Sequence, residues 1–315
     1  MTSSARASSG VHMYGPLLSA SDVEAHVNLY TDVFGMERVD SVTLAADLTE
    51  RLFSTPAGTL TLTALRTPGV LAGAVVAAFE PRSERQIRTE ETRLHRDAFR
   101  VIDFYAPDLD AAVAHARQLG HHVEHSEAGY DLDEGAFREA HLPGPDGVVT
   151  AFLSGPRDFF TGFAKVRDRI ASEVCSISLP LTDAKPSLEF YKDVLDWDVV
   201  FEYSFSDESF NRLMDVEEPI TVTSSTVGFA RDEPYVNMVD YGAPEGLGGS
   251  VRGQSVAPHR GLLGAVLTTD ALDAVRARAG EALGAEVTFT LAPFGEVRAA
   301  VLTPPHAVPH LILEV

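Results

Sequence analysis

"DVEAHVNLYTDVFG", residues 22–35, and "DAKPSLEFYKDVLD", residues 183–196, are one pattern written twice. Each opens on Asp, carries a Tyr midway, and closes on a short apolar run before a β-like segment. Asp183 follows Asp22 at the same interval as Tyr191 follows Tyr30. A second pair, "DLDAAVAHARQLGHHV" from 108 and "DALDAVRARAGEALGAEV" from 270, recurs at nearly that interval. Two separate helices repeating with one period indicate an internal duplication.

All four segments predict amphipathic helices. Val23, Val27, Tyr30 and Phe34 share one face of the first, and Leu109, Ala112, Val113, Ala116 and Leu119 one face of the second. Leu188, Tyr191 and Leu195 form the third stripe, and Leu272, Val275 and Leu283 the fourth. Asp22, Asp108, Asp183 and Asp270 stand at or beside the N-caps, where a carboxylate accepts unpaired first-turn N–H groups, so they read as caps. Gly120 and Gly284 are expected to close the second and fourth helices. A short apolar strand precedes each helix ("HMYGPLL", "FRVIDFY", "VCSISLPL", "LLGAVLTT"), and three β-like runs follow in most cases. The unit is βαβββ, used four times. One such unit leaves a bare apolar sheet face, so units must pair.

Punctuation sets the boundaries: a first domain at 1–155 (modules 11–80 and 98–155), a linker at 156–172, and a second domain at 173–315 (modules 173–240 and 261–315). Chain neighbours are the default pairs, with exchange of first and fourth modules topologically open. The Gly-rich stretch 240–261 is long enough to be a lid.

Composition narrows the function classes. A net charge of -21 and pI ≈ 4.8 disfavour nucleic-acid and acidic-membrane partners, which need cationic contacts to phosphate. The single cysteine, Cys175, lies in an apolar run, reads as a small buried hydrophobe and fits a reducing compartment. "MTSSARASSG" lacks an apolar core and reads as a loose tail, not a signal peptide. The longest apolar stretch, residues 69–79, is too short to span a bilayer. A cytoplasmic protein is expected.

The pattern resembles the vicinal oxygen chelate superfamily of glyoxalase I, bleomycin-resistance proteins and extradiol dioxygenases, as a tandem two-domain member. The resemblance rests on Asp22 with Leu29-Tyr30 and Phe34-Gly35, on Asp183 with Phe190-Tyr191 and Val194-Leu195, and on the turn Pro145-Asp146-Gly147. It implies an α+β fold, with the four βαβββ modules paired into two cupped eight-stranded mixed sheets and helices on the outside. Metal-using members place a His on a module's first strand, about seven residues before the pre-helix Asp, and a Glu roughly four residues after the last turn's Gly. The matching first-strand positions here hold Gly15, Val101, Ser176 and Leu263; the last-strand ones hold Gly73 and Ala151. None is a good ligand, and Glu314 reaches the site only through a bulge. His12 is an odd number of residues from its expected place and so on the wrong strand face. No metal or other cofactor is expected.

Other clusters carry less. On a strand, "GHHVEH" would put His121 and His125 on one face and His122 and Glu124 on the other. His306 and His310 are separated by Pro309, which rules out a helical ligand pair. No phosphate loop, nucleophile elbow or dinucleotide fingerprint is present.

Counting alternate positions from the resemblance's ligand site gives the expected cup lining. Met13 and Leu17 come from the first strand, Phe99, Val101, Asp103 and Tyr105 from the second, and Ser176 and Ser178 from the third. Met13, Leu17, Phe99, Ser176 and Ser178 are the candidate ligand-binding residues. An Asp inside an apolar strand is costly to bury ionised, so a cup-facing Asp103 would have a raised pKa suited to proton transfer, with Tyr105 as donor. Outward placement, or pairing with Arg96 or Arg100, is the alternative. His141 is a second proton-transfer candidate.

The expected function is metal-independent binding, with or without transformation, of a small hydrophobic or aromatic metabolite, as in the bleomycin-resistance branch. One alternative is a metal-free lyase, isomerase or cyclase using Asp103 and Tyr105. Another is a metal-dependent dioxygenase or lyase with relocated ligands. Four modules complete two cups, so a monomer or a homodimer fits. The composition suits secondary metabolism in a high-GC bacterium.

Overall fold

The computed structural model describes residues 10–56, 58–242 and 248–315. The expected loose tail therefore lies outside the described residues, save Gly10.

The first module runs β1 (His12–Ser19), α1 (Val23–Asn28), β2 (Glu37–Leu44), α2 (Ala46–Phe53), β3 (Thr59–Arg66) and β4 (Gly73–Glu80). The second has β5 (Val101–Tyr105), α3 (Leu109–Gln118), β6 (Ala128–Leu132), β7 (Gly135–Pro143) and β8 (Val149–Ser154), and α4 (Arg157–Thr161) follows in the connector. The third has β9 (Val174–Pro180), α5 (Lys185–Phe190), β10 (Asp198–Phe205), α6 (Glu208–Leu213), β11 (Val222–Gly228) and β12 (Tyr235–Asp240). The fourth has β13 (Gly261–Thr269), α7 (Leu272–Ala279), β14 (Val287–Leu291), β15 (Gly295–Leu302) and β16 (His310–Glu314). These are the four expected βαβββ units, with an extra short helix in the first and third.

They pair into two eight-stranded mixed sheets. One has the order β14-β15-β16-β13-β1-β4-β3-β2, the other β10-β11-β12-β9-β5-β8-β7-β6. The default of neighbour pairing is thereby corrected: the first module joins the fourth and the second joins the third. The connectors explain this. Residues 81–97 carry the chain from the first sheet to the second, and residues 248–261 bring it back. The two crossings run side by side, Gln86 bridging to Arg260 and Arg96 to Ser250. Arg88 holds the first crossing by donating to the carbonyls of Thr92, His95, Ala98 and Phe99. Between them, the connector with α4 is short enough to lay β9 beside β5. The described part of the expected lid is thus a crossing strand; Ala243 to Leu247 lie outside the described residues.

Asp22 and Asp108 cap their helices, accepting from Ala25 N (3.2 Å) and Ala111 N (3.0 Å). Asp183 accepts from Lys185 N at 3.0 Å. At α7 the reading shifts. Ala271 is the cap residue, and the Glu314 carboxylate accepts the N–H of Leu272 at 3.0 Å. Glu314 thus serves a helix end, and Gly280, with φ +56°, takes the closing role expected of Gly284. Leu119 also departs from its stripe and is exposed.

The outer sheet faces and the helix stripes share one core, in which Phe34 at the end of the first motif stacks on Phe104 of β5 at 3.9 Å. The first motif therefore ties the first sheet to the second. Inside the first cup the filling is apolar: Tyr14, Leu17, Leu60, Leu62, Leu263 and Phe289 pack together, with Val251 and Ala257 of the returning connector.

Candidate active site in the second cup

The polar side chains collect in the other cup, and strand register explains how. Asp103 on β5 lies opposite Ser176 on β9 and Ala151 on β8, and Ala151 lies opposite His141 on β7. Ser176, Asp103, Ala151 and His141 thus form one row across adjacent strands. Alanine at the centre leaves room for longer neighbours to lean inward. Glu139, two residues before His141, shares its face and accepts a hydrogen bond from His141 Nε2 at 2.7 Å.

Asp103 is buried, 4 % exposed. Its Oδ2 accepts from Ser176 Oγ at 2.5 Å and from Ser178 Oγ at 3.2 Å. Burial first, and then the charge of Glu139, push its carboxyl up to about 8, against the pull of the two serines. Near neutral pH it therefore holds its proton and can donate it. Across the cup Ser224 donates to Asn237 Oδ1, and Asn237 Nδ2 donates to Tyr203 Oη at 2.8 Å. Asp103, Glu139, Asn237, Tyr203, Tyr130 and Arg100 border an inner cavity of about 40 Å³. A second pocket of about 180 Å³ adjoins it, bordered by Arg100, His141, Leu213 and Met214.

The structure brings Asp103, His141, Ser176 and Ser178 together and sets the other candidates apart. Tyr105 shares the face of Asp103, but its ring stacks on Phe160 of the connector helix at 4.0 Å. Phe99 precedes the β5 ladder, where alternation does not hold, and its ring lies over His310 at 5.9 Å. Met13 turns into the core outside the cup, because the β1–β13 register breaks between Met13 and Gly15. Leu17 does face a cup, but the apolar first one. The strand expected at "GHHVEH" is absent: β6 begins only at Ala128, and His122 lies 3.7 Å from Glu124 at the surface. His306 and His310 are buried and share the hydroxyl of Tyr191, at 2.9 and 2.6 Å.

Counting alternation outward from the resemblance's ligand position missed Glu139, Tyr203 and Asn237; Arg100, expected only as a possible partner of Asp103, lines the same cavity. Glu139 was within reach, since "FREAH" puts Phe137, Glu139 and His141 on one strand face. Tyr203 and Asn237 depend on which modules meet.

The donor set does not fit the metal that the fold family implies. Gly15 approaches Gly73 so closely that a Cβ would stand 1.9 Å from its carbonyl oxygen, and the apolar Leu263 fills the matching place on β13. No ligating side chain can be carried there. In the second cup Val101, Ser176 and Ala151 occupy the corresponding places, and His141 Nε2 is taken by Glu139. Among the described residues no three His, Cys, Asp or Glu side chains converge as a cation site.

No curated protein matches the sequence. Solved structures share the fold. Glyoxalase I from Zea mays superposes with a TM-score of 0.61 at 13% identity, covering 96% of this chain and 92% of its own. A putative dioxygenase from Bacillus subtilis gives 0.59 at 11% identity, covering 98% and 86%. Residues 11–152 match the family described as the Glyoxalase/Bleomycin resistance protein/Dioxygenase superfamily. The first two modules, residues 11–152, thus match this superfamily, and the two cups of paired βαβββ modules share the fold of these solved structures.

Proposed function

We propose that the second cup binds a small hydrophobic or aromatic molecule and moves a proton on it without a metal, as a lyase or isomerase does. Asp103 is the acid, and the Glu139–His141 pair is the base. One observation carries this reading: the protonated Asp103 carboxyl and Glu139 border one inner cavity, and His141, which bonds Glu139, borders the adjoining pocket.

A carbonyl oxygen of the substrate accepts the Asp103 proton, while the base removes a proton from the adjacent carbon. The enol that results takes a proton back at carbon and returns one to Asp103, leaving both groups as they began. Tyr105, held under Phe160, takes no part. The apolar first cup is the scaffold. As setting we propose the cytoplasm and secondary metabolism, with the chain acting as a monomer or homodimer. Among the described residues no helix is long and apolar enough to cross a membrane.

The test is deuterium exchange, followed by NMR in D2O with chelator present, at the carbon next to the carbonyl in a panel of small aryl ketones. Wild type should exchange at least one substrate, and Asp103→Asn should slow this by about 100-fold or more with the fold intact. Exchange that survives in Asp103→Asn, or that depends on an added metal, overturns the reading. A binder without turnover is the second reading, favoured by the small free volume of the inner cavity; it predicts ligand binding with no exchange in either protein.

A further inference from the structure

Three arginines border the pocket outside the acid–base groups, and their donors are spent differently. Arg88 gives Nε, Nη1 and Nη2 to backbone carbonyls. Arg93 is engaged by Glu90 at 2.7 Å and by Asp215 at 2.6 Å. Arg100 gives Nε to the Arg93 carbonyl at 2.9 Å and Nη1 to Tyr241 Oη at 3.2 Å. Its Nη2 has no partner among the described residues, although the residue is only 7 % exposed. Arg100 also stands where the pocket meets the inner cavity, and it is the one cation bordering both the pocket and the acid pair.

Nη2 is not sealed in the core: it opens on the cavity, where the acceptor of a ligand can take it. The planar fork of the guanidinium suits a carboxylate better than any neutral group. The acidic residues nearby are engaged elsewhere: Glu90 holds Arg93, Glu124 lies beside His122 at the surface, Glu139 is bonded by His141, and Asp103, which feels the charge of Arg100 across the cavity, is bonded by Ser176 and Ser178. Leu213 and Met214 supply apolar lining to the same pocket.

We infer that the molecule taken by the second cup carries a carboxylate. Arg100 Nη2 binds it, the apolar body lies against Leu213 and Met214, and the reacting carbon faces Asp103 and Glu139. This rests on the second cup being the working site, as proposed above. Arg100 is a binding and orienting residue: it selects small apolar or aromatic acids over their neutral analogues, in a protein whose overall charge of -21 repels anions elsewhere.

The experiment compares benzoate with benzamide, the neutral analogue of the same shape, by titration calorimetry and ligand-observed NMR. Wild type should bind benzoate at least tenfold more tightly than benzamide. Arg100→Gln should erase that difference, and Arg100→Lys should keep part of it. Circular dichroism reports whether either variant folds; if neither does, the wild-type comparison decides alone. Equal binding of the two probes, or benzoate affinity unchanged in Arg100→Gln, overturns the inference. So does displacement of benzoate by equimolar inorganic phosphate, which would mark a general anion site. The two proposals separate cleanly. Aryl ketone exchange without benzoate preference leaves the proton-transfer reading standing and removes this one. Benzoate preference without exchange of any ketone does the reverse.

Discussion

Asp103 is where sequence, burial and chemistry meet. Its carboxyl accepts from two serine hydroxyls of β9 and shares one cavity with Glu139. With the folded-state pKa raised from 3.8 to about 8, the native protein holds a proton that the unfolded chain releases. Stability contributed by this group is complete below about pH 4 and is lost as pH rises toward 8. Urea melts of wild type should therefore show stability declining across that window by an amount on the order of a few kcal/mol. Asp103→Asn, which keeps a neutral side chain of the same shape, should flatten the decline and be the more stable protein at pH 8. Parallel pH profiles for the two proteins would remove Asp103 as the buried acid.

At the scale of elements, the turn between β7 and β8 acts as a clasp. Asp146 takes a left-handed conformation, φ 54°, which Asp tolerates better than most residues. Its Oδ2 accepts from Ser21 N at 2.8 Å and from His26 Nε2 at 3.1 Å, and its Oδ1 accepts from Arg260 Nη1 at 3.3 Å. One second-sheet turn thereby holds the entry of α1 and the start of β13, both in the first sheet. Burial pushes the carboxyl up, but His26 and Ser21 hold it down at about 2. Asp146→Ala strands His26 and Arg260 and should cost about 3 kcal/mol in urea melts at pH 7. Because the folded pKa is depressed, the contribution is present above about pH 4 and lost as pH falls toward 2. The difference between wild type and Asp146→Ala should therefore shrink in acid. A difference independent of pH would mean that the side chain acts by turn geometry alone.

For the molecule as a whole, the exchanged pairing means that neither half of the chain owns a complete cup. Residues 10–155 contain β1 and β5, whose antiparallel partners β13 and β9 lie in the other half. Each half produced alone should expose the edges of both central strands and either aggregate or dimerise, whereas co-expressed halves should co-purify as one complex. Size-exclusion chromatography with circular dichroism checks this. A monomeric, fully folded 10–155 fragment would contradict it.

The repeat of "DVEAHVNLYTDVFG" and "DAKPSLEFYKDVLD", the Asp caps and the strand before each helix were legible in the chain, because they are local: period, capping and alternation act within a few residues. By the same logic Asp103 stood out as an acid in an apolar strand, and two-residue spacing could also have yielded Glu139. Local rules failed where register broke. Met13 lies beside an irregularity in β1, and Phe99 precedes the β5 ladder. Pairing of modules was beyond the sequence, because it depends on where two distant crossings run side by side. That pairing brought Ser176, Ser178, Asn237 and Tyr203 to the acid of another module and left Leu17 in a solid apolar cup. The chain by itself determined four modules and their buried faces; tertiary structure decided which faces meet, since sheet edges pair through space and carry no label of their partner in the sequence.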